Sequence, residues 1–62
     1  MAAGPELSSI SNDLEGLTKR IASLAEQFNG TERDDLASSL FDVERGLIGA
    51  RRRLEQVVNA LL

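Results

Sequence analysis

Apolar residues, nearly all of them large, recur at alternating spacings of three and four through two stretches of this chain. In the first stretch they are Leu7, Ile10, Leu14, Leu17, Ile21, Leu24 and Phe28. In the second stretch they are Leu36, Leu40, Val43, Leu47, Ala50, Leu54, Val57 and Leu61. This spacing keeps one side of an α-helix apolar and defines a heptad seam. The seam predicts two amphipathic helices, and it constrains the fold more than any other feature of the chain.

The signals at the helix ends divide the chain. Pro5 suits the first position of a helix, where its missing amide proton would have no partner. The pair Asn29-Gly30 is typical of a helix that ends with a left-handed residue, and Thr31 with Asp34 three positions later resembles a capping box. We predict a lead-in over residues 1–4, helix one over about residues 5–29, a turn over 29–31 and helix two over about 32–62.

So short a turn makes two consecutive helices antiparallel neighbours. Residues at the same level of such a hairpin have numbers with a constant sum, and the seam pairs Leu17 with Leu47 and Phe28 with Leu36 share the sum of 64. Seven seam pairs share it. The sequence therefore predicts an all-α fold: an antiparallel two-helix hairpin in which the heptads of a coiled coil meet.

A second group of apolar residues lies beside the seam of helix two, opposite small residues beside the seam of helix one. On a lone hairpin Phe41 and Ile48, one heptad apart, would be exposed. An apolar strip beside an occupied seam is typical of contact with a third or fourth helix. We predict that this flank joins two hairpins into a homodimeric four-helix bundle. The predicted interface residues are Phe41, Ile48, Val58, Leu62, Ala22 and Ala25.

Length and composition favour such association. A chain of 62 residues is short for a stable single core. It contains no Cys and no His, so neither a disulfide nor an ordinary zinc site is expected to staple it. The same lack of cysteine, with no signal-peptide pattern at the start, favours a cytoplasmic location. The apolar tail 57–62 is far shorter than the roughly 20 residues of a membrane span.

Arginine and glycine gather on the other flank of the predicted seam. The arginines have two readings. One is a solvated helix surface tied into ion pairs, with Arg51 to Glu55, Asp42 to Arg45, and Asp13 to Arg53 across the hairpin. The other is a patch that binds anions, because guanidinium groups grip phosphates and carboxylates bidentately.

The three glycines on this flank, at mid-length by the predicted register, also allow two readings. They are either tolerated on a solvated surface or form a notch that another backbone or a ligand approaches closely. The second reading of both groups predicts an alternative function: a small regulatory protein that binds a nucleotide-like anionic effector and controls a partner protein. The candidate anion-binding residues are Arg20, Arg45, Arg52, Arg53, Gly16, Gly46 and Gly49.

Nothing in this sequence supports catalysis, and we predict no enzyme, no cofactor and no metal site. It has no His, no Cys and no glycine-rich phosphate loop. The acids Glu32, Asp34 and Asp35 are those expected at a helix N-terminus. A net charge of -3 and the absence of Trp and Tyr disfavour nucleic-acid binding. The leading prediction is a protein-protein interaction or scaffolding module that acts through helix packing, with a second copy or a helical segment of another protein as its partner.

Overall fold

The computed structural model describes residues 3–61, which form two α-helices joined by a five-residue turn: α1 (Ala3–Phe28) and α2 (Asp34–Leu61). The two helices pack against each other as a hairpin. This confirms the predicted all-helical hairpin. The predicted lead-in residues Met1 and Ala2 and the predicted interface residue Leu62 lie outside the described residues.

Helix α1 begins at Ala3, two residues before the predicted start. Pro5 is compatible with this earlier start because the first four amide groups of any helix lack a partner within the helix, so a proline in the first turn removes no hydrogen bond. The predicted lead-in therefore overlaps the helix at Ala3 and Gly4.

The turn begins at Asn29, directly after α1, and its second residue, Gly30, has a positive φ of 76°. The Thr31 amide donates to the Phe28 carbonyl at 3.2 Å. The Thr31 hydroxyl donates to the same carbonyl at 2.6 Å and accepts the Arg33 amide at 3.1 Å. These bonds occupy the Thr31 hydroxyl in the described turn, so the capping box predicted with Asp34 is not formed and α2 begins two residues later than predicted.

Arg33, directly before α2, makes the first hydrogen bonds of that helix. Its carbonyl accepts the Leu36 amide at 2.9 Å and the Ala37 amide at 3.4 Å. Its guanidinium donates to both carboxylate oxygens of Asp35, at 3.2 and 3.3 Å. This pairing lowers the pKa of Asp35 below its ordinary value of 3.8, so the contact is made by an ionised carboxylate at neutral pH.

The two helices meet through small residues. Ala25 and Ala37 are 0% and 2% exposed, and Ser11 is also buried. Thr18 lies between Ser11 and Ala25 at heptad spacing, and its hydroxyl donates to the Leu14 carbonyl at 2.6 Å. Within residues 3–61 no Leu, Ile, Val or Phe side chain reaches this degree of burial. The hairpin therefore has a close helix-to-helix contact but no core of large side chains.

The predicted heptad seam is not the line along which the helices meet, and coiled-coil packing is not confirmed. Half of the seam, represented by Leu14 in α1 and Leu47 in α2, is half-buried. The other half is open, with Leu17 46% exposed and Val43 47% exposed. Each helix is rotated about its own axis relative to the prediction, because the small side chains of Ser11 and Ala25 let the helices approach along a neighbouring line.

The register of the hairpin along its length agrees with the prediction even though the rotation does not. The constant sum places residue 51 level with residue 13. In the structure the Arg51 Nε donates to the Ser11 hydroxyl at 3.3 Å, and an Arg51 Nη lies 3.3 Å from a Glu15 carboxylate oxygen. These two partners lie on either side of the predicted level. The helices are antiparallel because only five residues separate two helices that pack side by side.

The hairpin is a single layer of helix. Its Cα atoms span 50 × 14 × 9 Å with a radius of gyration of 14.5 Å, against about 11 Å for a compact chain of this length. Its accessible surface of 4639 Å² exceeds the about 3,900 Å² of a compact protein with the same mass. Since protein cores form between two layers, one layer leaves a side of each helix without apolar cover.

Candidate interaction face

The helix contact divides the surface of the hairpin into two faces. The three buried residues lie on one heptad line of each helix, which we call the contact line. It consists of Ser11, Ala25 and the half-buried Thr18 in α1, and of Ala37 and the half-buried Glu44, Arg51 and Val58 in α2. A step of one residue turns about 100° around a helix. Because the helices are antiparallel, the residues one position before the contact line lie on the same side of the hairpin in both helices. The residues one position after it lie on the other side.

The residues one position before these contacts form the first face, and all of them are apolar. They are Ile10, Leu17, Leu24, Leu36, Val43, Ala50 and Val57. All except the half-buried Leu36 are exposed. We call this set the apolar face. It runs along both helices, whereas single exposed apolar residues scattered over a surface are common in soluble proteins.

The residues one position after the contacts form the second face, and all of them are polar or charged. They are Asn12, Lys19, Glu26, Ser38, Arg45, Arg52 and Asn59. We call this set the polar face. The contrast between the two faces is present in the sequence. It can be recognised only once the residues at the helix contact, which lie between the two faces, are known.

An ion-pair network lines the polar side of the helix contact. Arg51 is its centre, with a 32% exposed side chain and its guanidinium 3.3 Å from carboxylates of both Glu15 and Glu55. Lys19 adds a looser contact to Glu15 at 3.7 Å. The Arg51–Glu15 pair joins α1 to α2, and the Ser11 hydroxyl accepts from the same guanidinium. The network ties the two helices together on this side without large apolar residues.

Two of the three ion pairs predicted from the sequence are present. Arg51 pairs with Glu55, and Asp42 pairs with Arg45. In the part of the chain that the structure describes, Asp13 and Arg53 form no pair. The rotation of the helices explains this difference, because it turns both residues away from the helix contact toward the outer edges of the hairpin.

The residues predicted to join two hairpins lie on the polar side of the contact or within it. Ala25 is fully buried inside the single hairpin, so it offers no surface to a second one. Ala22, Phe41 and Val58 are half-buried. Ile48 is 40% exposed but lines a concavity whose other residues are mainly charged, among them those of the Arg51 network.

The predicted flank and the observed apolar face are therefore on opposite sides of the hairpin. Half of the apolar residues that the sequence assigned to the closed seam are left open, among them Leu17 and Val43. Of the residues assigned to a dimer contact, Ala25 is fully buried between the helices of the single hairpin and Val58 is half-buried. The reason is the same rotation, which brings the predicted flank into the helix contact and turns half of the seam outward.

The candidate anion-binding residues are spread over separate places. Gly16 and Arg20 line a shallow concavity formed by α1 alone, together with Asp13 and Leu17. The other two predicted glycines lie in a concavity formed by α2 alone, whose lining is Gly46, Gly49, Ala50 and Arg53. The structure does not bring the three glycines into one notch.

The remaining two candidate arginines face carboxylates. Arg45 pairs with Asp42, and Arg52 lines the concavity that also holds Glu15 and Glu55. An anion would meet these acids as well as the guanidinium groups. Anion binding stays a prediction from the sequence, and no arrangement of the described residues gathers its candidate groups.

The three glycines serve no contact inside the hairpin. Apart from its chain neighbours and the adjacent backbone of its own helix, a Cβ atom added at Gly16, Gly46 or Gly49 would meet no atom within 4 Å. A glycine in the interior of a helix costs about 1 kcal/mol relative to alanine. Any packing that requires these glycines must therefore involve something outside the hairpin.

Comparison of the chain with protein-family models, curated proteins and solved structures finds no match. Over residues 3–61, no group of three or more His, Cys, Asp or Glu side chains is placed to hold a metal ion. The two described helices also lack any stretch long and apolar enough to cross a lipid bilayer. The candidate functional surface is the apolar face.

Proposed function

We propose that this protein is a non-enzymatic protein-protein interaction or scaffolding module that acts through helix packing. Helices of another chain cover the apolar face and complete a four-helix bundle, in the simplest case a homodimer. The observation that supports this proposal is the inverted distribution of side chains. Residues as large as Leu17 and Leu24 are more than 40% exposed, while the most buried apolar residues of the hairpin are two alanines, Ala25 and Ala37.

The width of the apolar stripe on each helix also supports a bundle rather than a two-stranded coiled coil. In α1 three neighbouring lines are apolar or small: the contact line through Ala25, the half-buried line through Leu14, and the open line through Leu17. A helix with one partner needs a two-line stripe, whereas a helix with two neighbours in a bundle needs about three. The open line is the part of the stripe that faces the second neighbour.

The cytoplasmic location predicted from the sequence belongs to the same proposal. It is supported by the absence of cysteine, which gives no sign of an oxidising compartment.

A matched pair of substitutions in α2 tests which face is used. Val43 and Ile48 are both β-branched and exposed to a similar extent, at 47% and 40%, but they lie on opposite sides of the helix contact. Replacing either with Glu changes helix propensity in the same direction. Val43→Glu should abolish association, whereas Ile48→Glu should leave it intact.

The expected size of the Val43→Glu effect follows from the burial that it prevents. Fully burying an exposed valine side chain is worth about 1.5 kcal/mol or more, and Val43 has about half of that left to gain because it is 47% exposed in the hairpin. The loss occurs twice in a dimer, so Kd should rise by about tenfold or more. Sedimentation equilibrium gives the mass, and far-ultraviolet circular dichroism gives the helicity. Loss of association in Ile48→Glu with none in Val43→Glu would show that the polar side is the one that binds.

A further inference from the structure

We propose that the chain covering the apolar face is a second copy, placed face to face so that α1 of each copy lies antiparallel on α2 of the other. The two-fold axis then runs along the length of the hairpins, and both turns lie at the same end. This inference rests on the proposed function, since it names the partner of the apolar face and the way in which that partner sits.

The area available agrees with a stable homodimer. Two separate hairpins expose about 9,300 Å², twice the 4639 Å² of one, whereas a compact protein of the doubled mass exposes about 6,500 Å². Pairing into a compact bundle would bury the difference, about 2,800 Å², which lies in the range of obligate homodimers, about 2,000–5,000 Å². A short peptide helix from another protein would cover a smaller part of a face that extends along both helices.

The sizes of the apolar side chains favour α1 on α2. At mid-length, α1 presents Leu17, whereas α2 presents the concavity at Gly46 and Ala50. Residue 17 is level with residue 47. In the proposed arrangement Leu17 of each copy therefore packs at Gly46 and Ala50 of the partner copy, and a glycine that serves no contact in the lone hairpin meets a large side chain.

The other face-to-face arrangement, with a two-fold axis across the hairpins, places α1 on α1 and α2 on α2. Leu17 would then lie against Leu17 of the partner copy, and Ala50 would lie near its own counterpart. Large residues would meet on one side of the bundle and small ones on the other, so the two helix pairs could not reach close packing at one common spacing.

The charges beside the apolar face are also complementary in the proposed arrangement. Asp13 lies next to Leu17 in the α1 concavity, and Arg53 lies next to Ala50 in the α2 concavity. The register sets residue 53 level with residue 11. Asp13 of each copy therefore lies beside Arg53 of the partner copy, and two such pairs form in the dimer although neither forms within a chain. With α1 on α1, Asp13 would instead meet Arg20 of the partner copy.

Charge reversal distinguishes the two arrangements. Asp13→Lys alone and Arg53→Glu alone should each weaken the dimer, by about tenfold in Kd at low salt, because like charges then meet at both equivalent places. The double variant Asp13→Lys/Arg53→Glu should recover the original Kd to within about threefold. The control is Asp13→Lys/Arg20→Glu, which should remain weak. Recovery in this control, with none in the first double variant, would overturn the α1-on-α2 arrangement.

Disulfide trapping gives a second readout on a background without cysteine. Under mild oxidation, a mixture of the Leu17→Cys and Gly46→Cys chains should form a covalent dimer that contains one of each, because these positions face each other between copies. Leu17→Cys alone should not be trapped. Efficient trapping of Leu17→Cys alone would show that α1 lies on α1 and would overturn the inference.

Different results would contradict the second-copy inference and the proposed function. If the unmodified chain stays monomeric at millimolar concentration, the second copy is excluded, and the interaction module stands only if a helix of another protein binds the face that Val43→Glu disables. If Val43→Glu changes neither mass nor helicity in any assembly of the chain, the apolar face is not the binding surface and the proposed function itself fails.

Discussion

At the scale of single residues, substitutions at the glycines distinguish the conformation that the hairpin itself requires from the space that a partner helix requires. Gly30 has a positive φ of 76°, whereas Gly49 is helical and has open space where a Cβ would lie. Gly49→Ala should raise the free energy of unfolding by about 1 kcal/mol, and Gly30→Ala should lower it by about 1–2 kcal/mol. Urea unfolding at one fixed protein concentration measures both.

Gly46→Ala is the informative comparison. The hairpin itself has room for this methyl group as well. A partner helix seated on the apolar face would not, so this variant should gain less stability than Gly49→Ala and should raise Kd for the dimer. Equal gains at both positions would mean that no backbone or side chain approaches Gly46.

Residue-level prediction from the sequence succeeded where the backbone alone decides the outcome. Helix α1 ends at Phe28, and Gly30 follows in the left-handed conformation that glycine adopts without strain. The predicted capping role of Thr31 was wrong because several nearby backbone groups can hydrogen-bond to its hydroxyl. The turn geometry, which spacing in the sequence does not determine, offered it Phe28 and Arg33 instead of the start of α2.

At the scale of the helices, Arg51 holds α1 to α2. The Arg51 side chain is about two-thirds buried and contacts two residues of α1, Ser11 and Glu15. Arg51→Met should therefore lower the free energy of unfolding by about 1 kcal/mol. A double-mutant cycle with Glu15→Gln should give a coupling energy of about 0.5–1 kcal/mol. The same cycle with Lys19→Gln in place of Arg51→Met serves as the control, because the Lys19 side chain is 78% exposed and its coupling should be smaller. A coupling near zero for Arg51 would remove it as a link between the helices.

The sequence predicted the helices, the turn and the register but placed the contact line on the wrong side of the stripe. Heptad spacing shows where an apolar stripe lies on a helix. It does not show which side of the stripe contacts the other helix of the hairpin, because large and small residues on adjacent heptad lines satisfy the pattern equally well. Leu17 and Ala25 are both acceptable at a helix contact, and only the packed pair shows that the small residue allows the closer approach.

At the scale of the whole molecule, the hairpin is a single layer of helix, and we propose that a second copy supplies the other layer. The 62 residues contain no Cys and no His, so neither a disulfide nor an ordinary zinc site takes the place of a larger core. Its extent of 50 × 14 × 9 Å fits one layer of a four-helix bundle. Stability should therefore depend on protein concentration, and dissociation and unfolding should occur together rather than as two separate transitions.

The most direct measurement is the mass of the unmodified chain in solution, recorded together with its helicity over a wide range of concentration. Sedimentation equilibrium with circular dichroism should give about 13.4 kDa, twice 6.7 kDa, and a loss of helicity on the dilution that brings the mass down to that of one chain. A 6.7 kDa monomer that keeps full helicity and unfolds cooperatively at the lowest concentration would contradict the account, because its apolar face would then need no partner.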